Sequence, residues 1–354
     1  MDAKINKNRL GHLLSYDWVK IIGVIVAAIL VWSLIFTMTA TRITGSQSYS
    51  IVNYYGMHFG DGANKYYNFA EDEFSYEVIE ANVVDVLQGG DDYVSTMIET
   101  RFATGEGDLM FIGNTDNPDT QTEKKDADGN TVTDGEGNPV YEYTSYLSGF
   151  LQSGYFFNVS RLDDTATSDG YFTQMKNYLG LFYDYTETEK SYSGVSMLVA
   201  DFDENSLNIQ AVEERFVARV NKNKDKRYKT EDEIAQGKAD EIARIKGYAA
   251  AYEAFFANLD GGLIAFTVST VQMTEEVAYT GVYSIDLCPN EATMGGLKDF
   301  IYYYAKDEAG TEYKTAANMN ALFLELDGLD GDFKYETVAL VNRLVKEYAV
   351  AQSN

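Results

Sequence analysis

The feature that most constrains this chain is the uncharged segment between Lys20 and Arg42, which is rich in Ile, Val, Ala and Leu. At about 1.5 Å of rise per residue, a helix of this length spans about 30 Å, the thickness of a bilayer's hydrocarbon core. The segment therefore predicts a transmembrane helix over 21–41. The alternative is a cleaved signal peptide, but cleavage after Ala40 would place Met38 where small residues are usual.

The charges on the two sides of this segment predict its orientation. The segment from Met1 to Lys20 carries four basic and two acidic side chains, a net charge of +2, and the whole chain carries −27, which leaves −29 for the rest. Because basic flanks stay on the cytoplasmic side, we predict a single-pass protein of the cell membrane with a cytoplasmic tail over 1–20 and an extracellular domain over 46–354. So negative a domain repels phosphate backbones, which argues against nucleic acid as a partner.

The scarcity of cysteine and histidine limits the chemistry that this chain can perform. Cys288 is the only cysteine and His58 the only histidine beyond Lys20, so the sequence has no intramolecular disulfide and too few ligands for a typical zinc site. A nucleophile activated by histidine would depend on His58, which lies in a loop pattern. We expect no cofactor and no enzymatic activity. Glycoside hydrolysis stays open as a third hypothesis, because it needs only two carboxylates.

Strand and helix patterns alternate along the extracellular part, which predicts an α/β domain without an internal repeat of fixed period. A strand is predicted over 48–54 at its start. A βαβ unit with parallel strands is predicted next, from strands over 76–86 and 109–112 and the helix from Asp91 to about Thr104 between them. Further strands are predicted over 155–159, 195–202, 263–268 and 281–287, and further helices over 143–152, 207–220, 231–259, 297–305, 315–326 and 335–350.

The segment 114–141 is polar and rich in turn residues, and predicts a solvated β-hairpin insertion. Its acidic residues invite comparison with a calcium-binding loop. That loop needs glycine at its sixth position and glutamate at its twelfth, where this segment has Thr131 and Gly137. We therefore predict no metal site in the insertion.

A helical hairpin is predicted over 206–259, and its second helix begins with a capping box from Thr230 to Glu233. Between the two helices lies the one basic cluster of the acidic domain, formed by Lys222, Lys224, Lys226, Arg227 and Lys229. We interpret this cluster as a solvated hairpin tip. The second interpretation is contact with anionic headgroups, an anionic wall polymer or an acidic face of a partner.

The run from Arg101 to Ile112 resembles a segment of the extracellular solute-binding proteins of ABC importers, in which a helix ends, a glycine turn follows and Asp108 opens a buried strand. The stretch 146–159 is similar to the next helix and turn of that family. The resemblance implies two lobes that close on a ligand by a hinge motion, with ligand contacts from loops after the first and third strands. Carried onto this chain, these positions are Tyr54, Tyr55, Gly113 and Asn114.

Separately, residues 15–18 and 39–44 resemble the N-terminal segment of uncharacterised membrane-anchored envelope proteins of low-GC Gram-positive bacteria.

The leading functional hypothesis follows from the predicted membrane anchor, the resemblance to solute-binding proteins and the 28 tyrosines. Tyrosine rings offer apolar faces, and their hydroxyl groups can orient a ligand. We expect an anchored extracellular protein that captures a small neutral ligand, a sugar or a peptide, for the membrane-embedded subunits of an ABC-type transporter. The alternative is a structural or interaction protein of the envelope that keeps the fold without binding a ligand.

Overall fold

The structure is a computed structural model that describes residues 18–39, 48–66, 80–89, 93–104, 107–163, 170–272, 278–324 and 335–350. The chain divides into two compact units, residues 1–42 and residues 43–354. Several predicted pieces lie outside the described residues. They are residues 1–17 of the predicted tail, 40–41 of the predicted span, 76–79 of the second strand, the helix start at Asp91 and residues 325–326 of the helix predicted over 315–326.

The first unit contains one helix, α1 (Trp18–Thr39), whose side chains from Trp18 to Phe36 are all exposed. It begins three residues before the predicted span because Trp18, Val19 and Lys20 continue the helical pattern. Its 22 residues correspond to about 33 Å, so it is long and apolar enough to cross a membrane. A signal sequence shares this length and composition.

A six-stranded mixed sheet forms the centre of the second unit, with strand order β3-β1-β4-β13-β10-β9. The strands β3, β1 and β4 are parallel, so the predicted parallel unit is confirmed, whereas β13, β10 and β9 pair antiparallel. The α/β class is therefore confirmed in the form of a mixed α/β unit. The strands of this sheet are β1 (Ser48–Asn53), β3 (Glu80–Val84), β4 (Leu109–Gly113), β9 (Ala265–Gln272), β10 (Ala278–Asp286) and β13 (Met319–Phe323).

Smaller strands form three further sheets. The strand β2 pairs with β11, which pairs with β12, while β5 pairs with β6 and β7 with β8. These strands are β2 (His58–Phe59), β5 (Thr122–Glu123), β6 (Tyr141–Glu142), β7 (Tyr185–Tyr192), β8 (Val195–Phe202), β11 (Ile301–Lys306) and β12 (Glu312–Thr315).

Helices pack around the central sheet, and the longest of them, α6, begins with the predicted capping box. Thr230 Oγ1 accepts from the Glu233 N–H at 3.2 Å, and a Glu233 carboxylate oxygen accepts from the Thr230 N–H at 2.8 Å. The described helices of this unit are α2 (Val94–Thr104), α3 (Tyr146–Gln152), α4 (Tyr171–Leu179), α5 (Ile209–Asn223), α6 (Glu231–Asp260), α7 (Glu291–Met294) and α8 (Glu336–Tyr348).

Three secondary-structure predictions are wrong. The helices predicted over 297–305 and 315–326 are strands β11 and β13, because Met319–Phe323 is buried throughout and a short apolar run has no period that separates strand from helix. In β11, successive residues point to opposite faces of the sheet, so Tyr302 and Tyr304 share one face. Ile301 and Tyr302 are paired with β2, and the residues from Tyr303 onward are paired with β12. The strand predicted over 155–159 is a 3-10 helix, Gly154–Asn158.

The strand predicted over 195–202 is confirmed as β8, but its hairpin partner β7 was not predicted. The two-residue turn of this hairpin consists of Ser193 and Gly194, and both have positive φ, 50° and 80°. Such a turn matches the twist of the paired strands and favours glycine. The pattern of β7 is obscured because its side chains, apart from half-buried Lys190 and Tyr192, are exposed.

The predicted insertion contains a repeat that the sequence interpretation missed. Asp126–Thr133 and Asp134–Tyr141 are two eight-residue units, and in each unit the aspartate Oδ1 accepts from two backbone N–H groups of its own turn. Backbone hydrogen bonds join Lys124, Val132 and Val140 into a closed ring, from which the β5/β6 stem and the two turns branch. The Asp126 and Asp134 carboxylates of the candidate calcium loop therefore organise turns.

Candidate functional site

The carboxyl edge of the parallel strands is organised by a buried asparagine at the end of β1. Asn53 is completely buried, and its Nδ2 donates to the Met57 carbonyl at 2.6 Å and to Asp85 Oδ1 at 2.8 Å. Its Oδ1 accepts from the Val86 N–H at 2.8 Å. A buried side chain that forms all these hydrogen bonds holds the backbone segments that it contacts in place. It holds the loop after β1 against the loop after β3.

A cleft lined by four tyrosines opens at this edge, and we call it the tyrosine cleft. The rings come from the loop after β1, from the start of α3 and from the 3-10 helix that follows α3, and the cleft has a volume of about 210 Å³. The first turns of α2 form the apolar part of its wall. The lining residues are Tyr54, Tyr55, Val94, Ser95, Ile98, Asn117, Asp119, Tyr146 and Tyr155.

The tyrosine rings are held by other aromatic rings. Tyr54 meets Phe150 edge-on with ring centroids 5.2 Å apart, and Tyr155 meets Phe102 edge-on at 5.3 Å. Tyr55 lies 6.1 Å from Tyr146 at a tilt of 40°. These separations are in the range of favourable aromatic pairs. The rings are therefore positioned by packing without a ligand.

The phenol groups of Tyr54 and Tyr155 are neutral at ordinary pH. Burial raises the pKa of Tyr54. Burial, and the hydrogen bond that the Tyr155 hydroxyl donates to Glu99 Oε1 at 2.7 Å, raise the pKa of Tyr155 to about 12. A neutral phenol both donates and accepts hydrogen bonds. The cleft thus combines ring faces with hydroxyl groups.

The polar end of the tyrosine cleft belongs to a turn that the sequence interpretation did not single out. Asn117 caps the 3-10 helix Pro118–Thr120, and its side chain accepts from the Asp119 N–H at 3.0 Å. The Asn-Pro pair at the start of the insertion was the available signal. Glycoside hydrolysis needs two carboxylates. Among the described residues that line this cleft, Asp119 carries one, and the Glu99 carboxylate beside the cleft is bonded to the Tyr155 hydroxyl.

Of the four predicted ligand residues, Tyr54 and Tyr55 lie in the tyrosine cleft, and the other two lie elsewhere. Gly113 is buried, and a Cβ added there would lie 3.0 Å from Met57 Cε, so a larger residue would press on the end of the Met57 side chain. Asn114 is exposed and lines a second cleft, between α3 and β9. Whether these four residues bind a ligand stays a prediction.

The predicted basic cluster lies in the last turn of α5 and in the connection between α5 and α6. Lys222, Lys224, Lys226 and Lys229 are exposed there. Arg227 is engaged within the connection, because its guanidinium pairs with the Asp225 carboxylate at 2.7 Å and lies 5.3 Å from the Tyr228 ring centroid.

His58 and Cys288 both have packing partners. The His58 ring stacks on Tyr302 with centroids 5.5 Å apart. Cys288 is buried, and desolvation raises the pKa of its thiol to about 12, so it is not a thiolate at ordinary pH. Within the described residues, no group of three or more His, Cys, Asp or Glu side chains is placed to hold a metal ion.

Comparisons with protein-family models, with curated proteins and with solved structures found no match to this chain. The resemblance to solute-binding proteins therefore rests on the sequence segments alone.

Proposed function

We propose that this chain is an extracytoplasmic binding protein, anchored in the membrane by α1, that captures a small neutral ligand in the tyrosine cleft. The observation that carries the proposal is the convergence of Tyr54, Tyr55, Tyr146 and Tyr155 at the carboxyl edge of the parallel strands. In open α/β sheets, ligands bind in the crevice beyond the carboxyl ends of the strands, where neighbouring connections diverge.

The chemistry of the cleft favours a sugar or a short peptide. Ring faces pack against the apolar faces of either ligand, and the neutral phenols together with Asn117 supply hydrogen bonds that orient it. An anionic ligand is disfavoured, because the chain beyond Lys20 carries a net charge of −29 and Asp119 lines the cleft.

The partner and the mechanism in this proposal rest on the resemblance. Delivery of the ligand to the membrane-embedded subunits of an ABC-type transporter, and closure of two lobes by a hinge motion, are predictions taken from the solute-binding family. The placement of residues 46–354 outside the cell rests on the charges that flank α1.

A ligand screen on the full-length protein in detergent micelles tests the proposal. We expect neutral mono- and oligosaccharides or short peptides to raise the melting temperature saturably, because a ligand at 100 times its Kd stabilises the native state by about 2.7 kcal/mol. The Tyr55→Ala variant should lose this stabilisation. The matched control is Tyr279→Ala, which removes an exposed tyrosine of β10 away from the cleft. An identical shift in Tyr55→Ala would exclude the tyrosine cleft as the site.

The alternative, an interaction protein of the envelope that binds no small ligand, is favoured by one measurement. The tyrosine cleft is smaller than the about 300 to 1,000 Å³ that is usual for ligand pockets. Under this alternative, the exposed lysines of the basic cluster contact an anionic surface. Replacing all four by Glu should then weaken binding of the detergent-solubilised protein to an anionic wall polymer, and the loss should be larger at low salt. No thermal shift with any ligand, together with this loss of polymer binding, would favour the alternative.

A further inference from the structure

The strand β9 has a free edge that carries backbone hydrogen-bonding groups at the spacing of a strand. It pairs with β10 on one side and ends the six-stranded sheet within the described part of the chain. Unpaired strand edges are templates for the addition of another strand.

The pairing of β9 with β10 shows which groups point outward. The Val282 N–H donates to Asp163 Oδ1 and its carbonyl accepts from the Leu162 N–H, so both groups of Val282 point away from β9. Val282 is opposite Val268 in the register, and in an antiparallel ladder such a pair exchanges no hydrogen bonds. The N–H and C=O of Val268 therefore point away from β10, toward the free edge.

On either side of Val268, a side chain donates a hydrogen bond to a carbonyl group of the same strand edge. Ser193 Oγ donates to the Phe266 carbonyl at 2.7 Å, and Gln152 Nε2 donates to the Thr270 carbonyl at 3.0 Å. Phe266 and Thr270 lie two residues before and two residues after Val268, so their carbonyls point to the same side of the strand as that of Val268. The two hydrogen bonds therefore confirm that this side faces away from β10. In the part of the chain that the structure describes, no hydrogen bond is formed by the backbone groups of Val268 between them.

A cleft beside this edge offers space for an added strand. Its volume is about 320 Å³, and it separates β9 from α3. The side chain of Val268 is 39% exposed, whereas Leu147 and Leu151 are buried in the opposite wall. The lining residues carry no charge: Asn114, Leu147, Ser148, Leu151, Thr267, Val268, Ser269 and Thr270.

We infer that the edge of β9 between Ser193 and Gln152, together with this cleft, is a recognition site for an extended, uncharged peptide segment of another protein. The peptide adds to β9 as a strand, and its backbone bonds to the N–H and C=O of Val268. In strand addition, the main chain gives affinity and alternate side chains give specificity. Charged side chains are excluded from the cleft, because its uncharged lining cannot pair with them. This site is independent of the tyrosine cleft.

Selection from a phage-displayed library of randomised short peptides, with full-length protein in detergent micelles as bait, tests the inference. Selected peptides should have uncharged, proline-free central residues and bind saturably in fluorescence anisotropy. Hydrogen exchange should show that the bound peptide protects the amide of Val268, whereas the amide of Ser269, which faces β10, is protected with or without peptide.

Two variants and one control make the test specific. Val268→Pro removes the outward N–H, and an edge strand accommodates proline at a position whose N–H is not bonded within the sheet. This variant should bind the peptide about five- to tenfold more weakly. Val268→Thr keeps the N–H and the branched shape, and should bind as the unsubstituted protein does. Ser148→Lys adds bulk and charge on the opposite wall without touching the β9 backbone, and should abolish binding.

Three results would overturn the inference. One is a selection that enriches no peptide over empty micelles. Another is equal affinity for the unsubstituted protein, Val268→Pro and Ser148→Lys. The third is self-association in analytical ultracentrifugation that Val268→Pro abolishes, which would assign the edge to a second copy of this chain.

Discussion

The hydroxyl group of Tyr248 donates a 2.5 Å hydrogen bond to Oε1 of Glu336, and both residues are buried. This bond joins the middle of α6 to the first residue of α8 across 88 positions of sequence. Tyr248 also accepts from Arg244 Nη1 at 3.1 Å, and Arg244 forms two hydrogen bonds with the Glu241 carboxylate, at 2.7 and 3.0 Å. A buried charge network therefore connects two helices that enclose the core.

Removal of this hydroxyl should destabilise the fold. We expect Tyr248→Phe to lower the free energy of unfolding by about 1 to 3 kcal/mol, because Glu336 loses a donor and Arg244 an acceptor in the buried interior. Urea unfolding of the full-length protein in detergent micelles, followed by circular dichroism, measures the change. Tyr279→Phe removes an exposed hydroxyl and should stay within about 0.5 kcal/mol. Equal effects of the two substitutions would contradict the structural role of the network.

Two glycines of α6 should respond to alanine in opposite directions. A Cβ at Gly237 would lie 2.6 Å from the Tyr228 ring and closer still to the Phe216 ring, whereas a Cβ at Gly247 would meet no atom within 4 Å. Gly237→Ala should destabilise by about 1 to 2 kcal/mol through overpacking. Gly247→Ala should stabilise by about 0.5 to 1 kcal/mol, since alanine favours a helix. The same urea titration compares them, and a stabilising Gly237→Ala would show that α5 and α6 are farther apart than described.

The stability of the fold should depend on pH through Asp286. Burial raises the pKa of this carboxyl to about 6 in the folded protein, although the Cys288 N–H bonds to it and opposes the shift. The folded state therefore holds this proton more tightly than the unfolded chain, and the stabilisation is present below about pH 4 and lost as the pH rises through about 6. The contribution is about 3 kcal/mol at most.

Asp286→Asn should remove this dependence and stabilise the protein at pH 7, because the amide keeps an acceptor for the Cys288 N–H without a buried charge. The measurement is the difference in unfolding free energy between the variant and the unsubstituted protein from pH 4 to pH 7. This difference should grow with pH. A constant difference would contradict the raised pKa.

The proposed anchor makes a prediction about fractionation. If α1 spans the membrane uncleaved, the chain should stay in the membrane pellet after an alkaline carbonate wash, with an intact mass that includes α1. External protease should digest the acidic domain, while an epitope tag fused to the N-terminus should be protected. A released chain that begins near Thr41 would instead identify α1 as part of a signal sequence.

Elements with a strong local pattern could be predicted from the sequence. The uncharged run gave α1, a capping box gave the start of α6, and the buried run Leu109–Ile112 gave β4. The parallel orientation of β3 and β4 also followed, because a strand, a helix and a strand in succession favour a parallel crossover. The insertion of β1 between them did not follow from the local pattern.

The position of β13 was not predictable in the same way. Its residues are buried on both faces, and all but Asn320 are apolar, which removes the period that would have separated it from a helix. The local sequence around Tyr146 at the start of α3, and around Tyr155 in the 3-10 helix after it, does not indicate that these residues share a site with Tyr54. Only the packing of α3 beside the carboxyl edge of β1 brings the three together.

The sequence by itself determined that an apolar helix precedes a strongly acidic α/β unit. The length of an apolar segment, the net charge and the helix-capping residues depend on composition and on short stretches of sequence, and not on tertiary contacts. The tertiary structure decided which strands became neighbours, which tyrosines share a cleft, and which edge of the sheet stays open. These properties depend on contacts between residues far apart in sequence, where burial of the central strands β1, β4 and β13 selects one arrangement from many with the same local pattern.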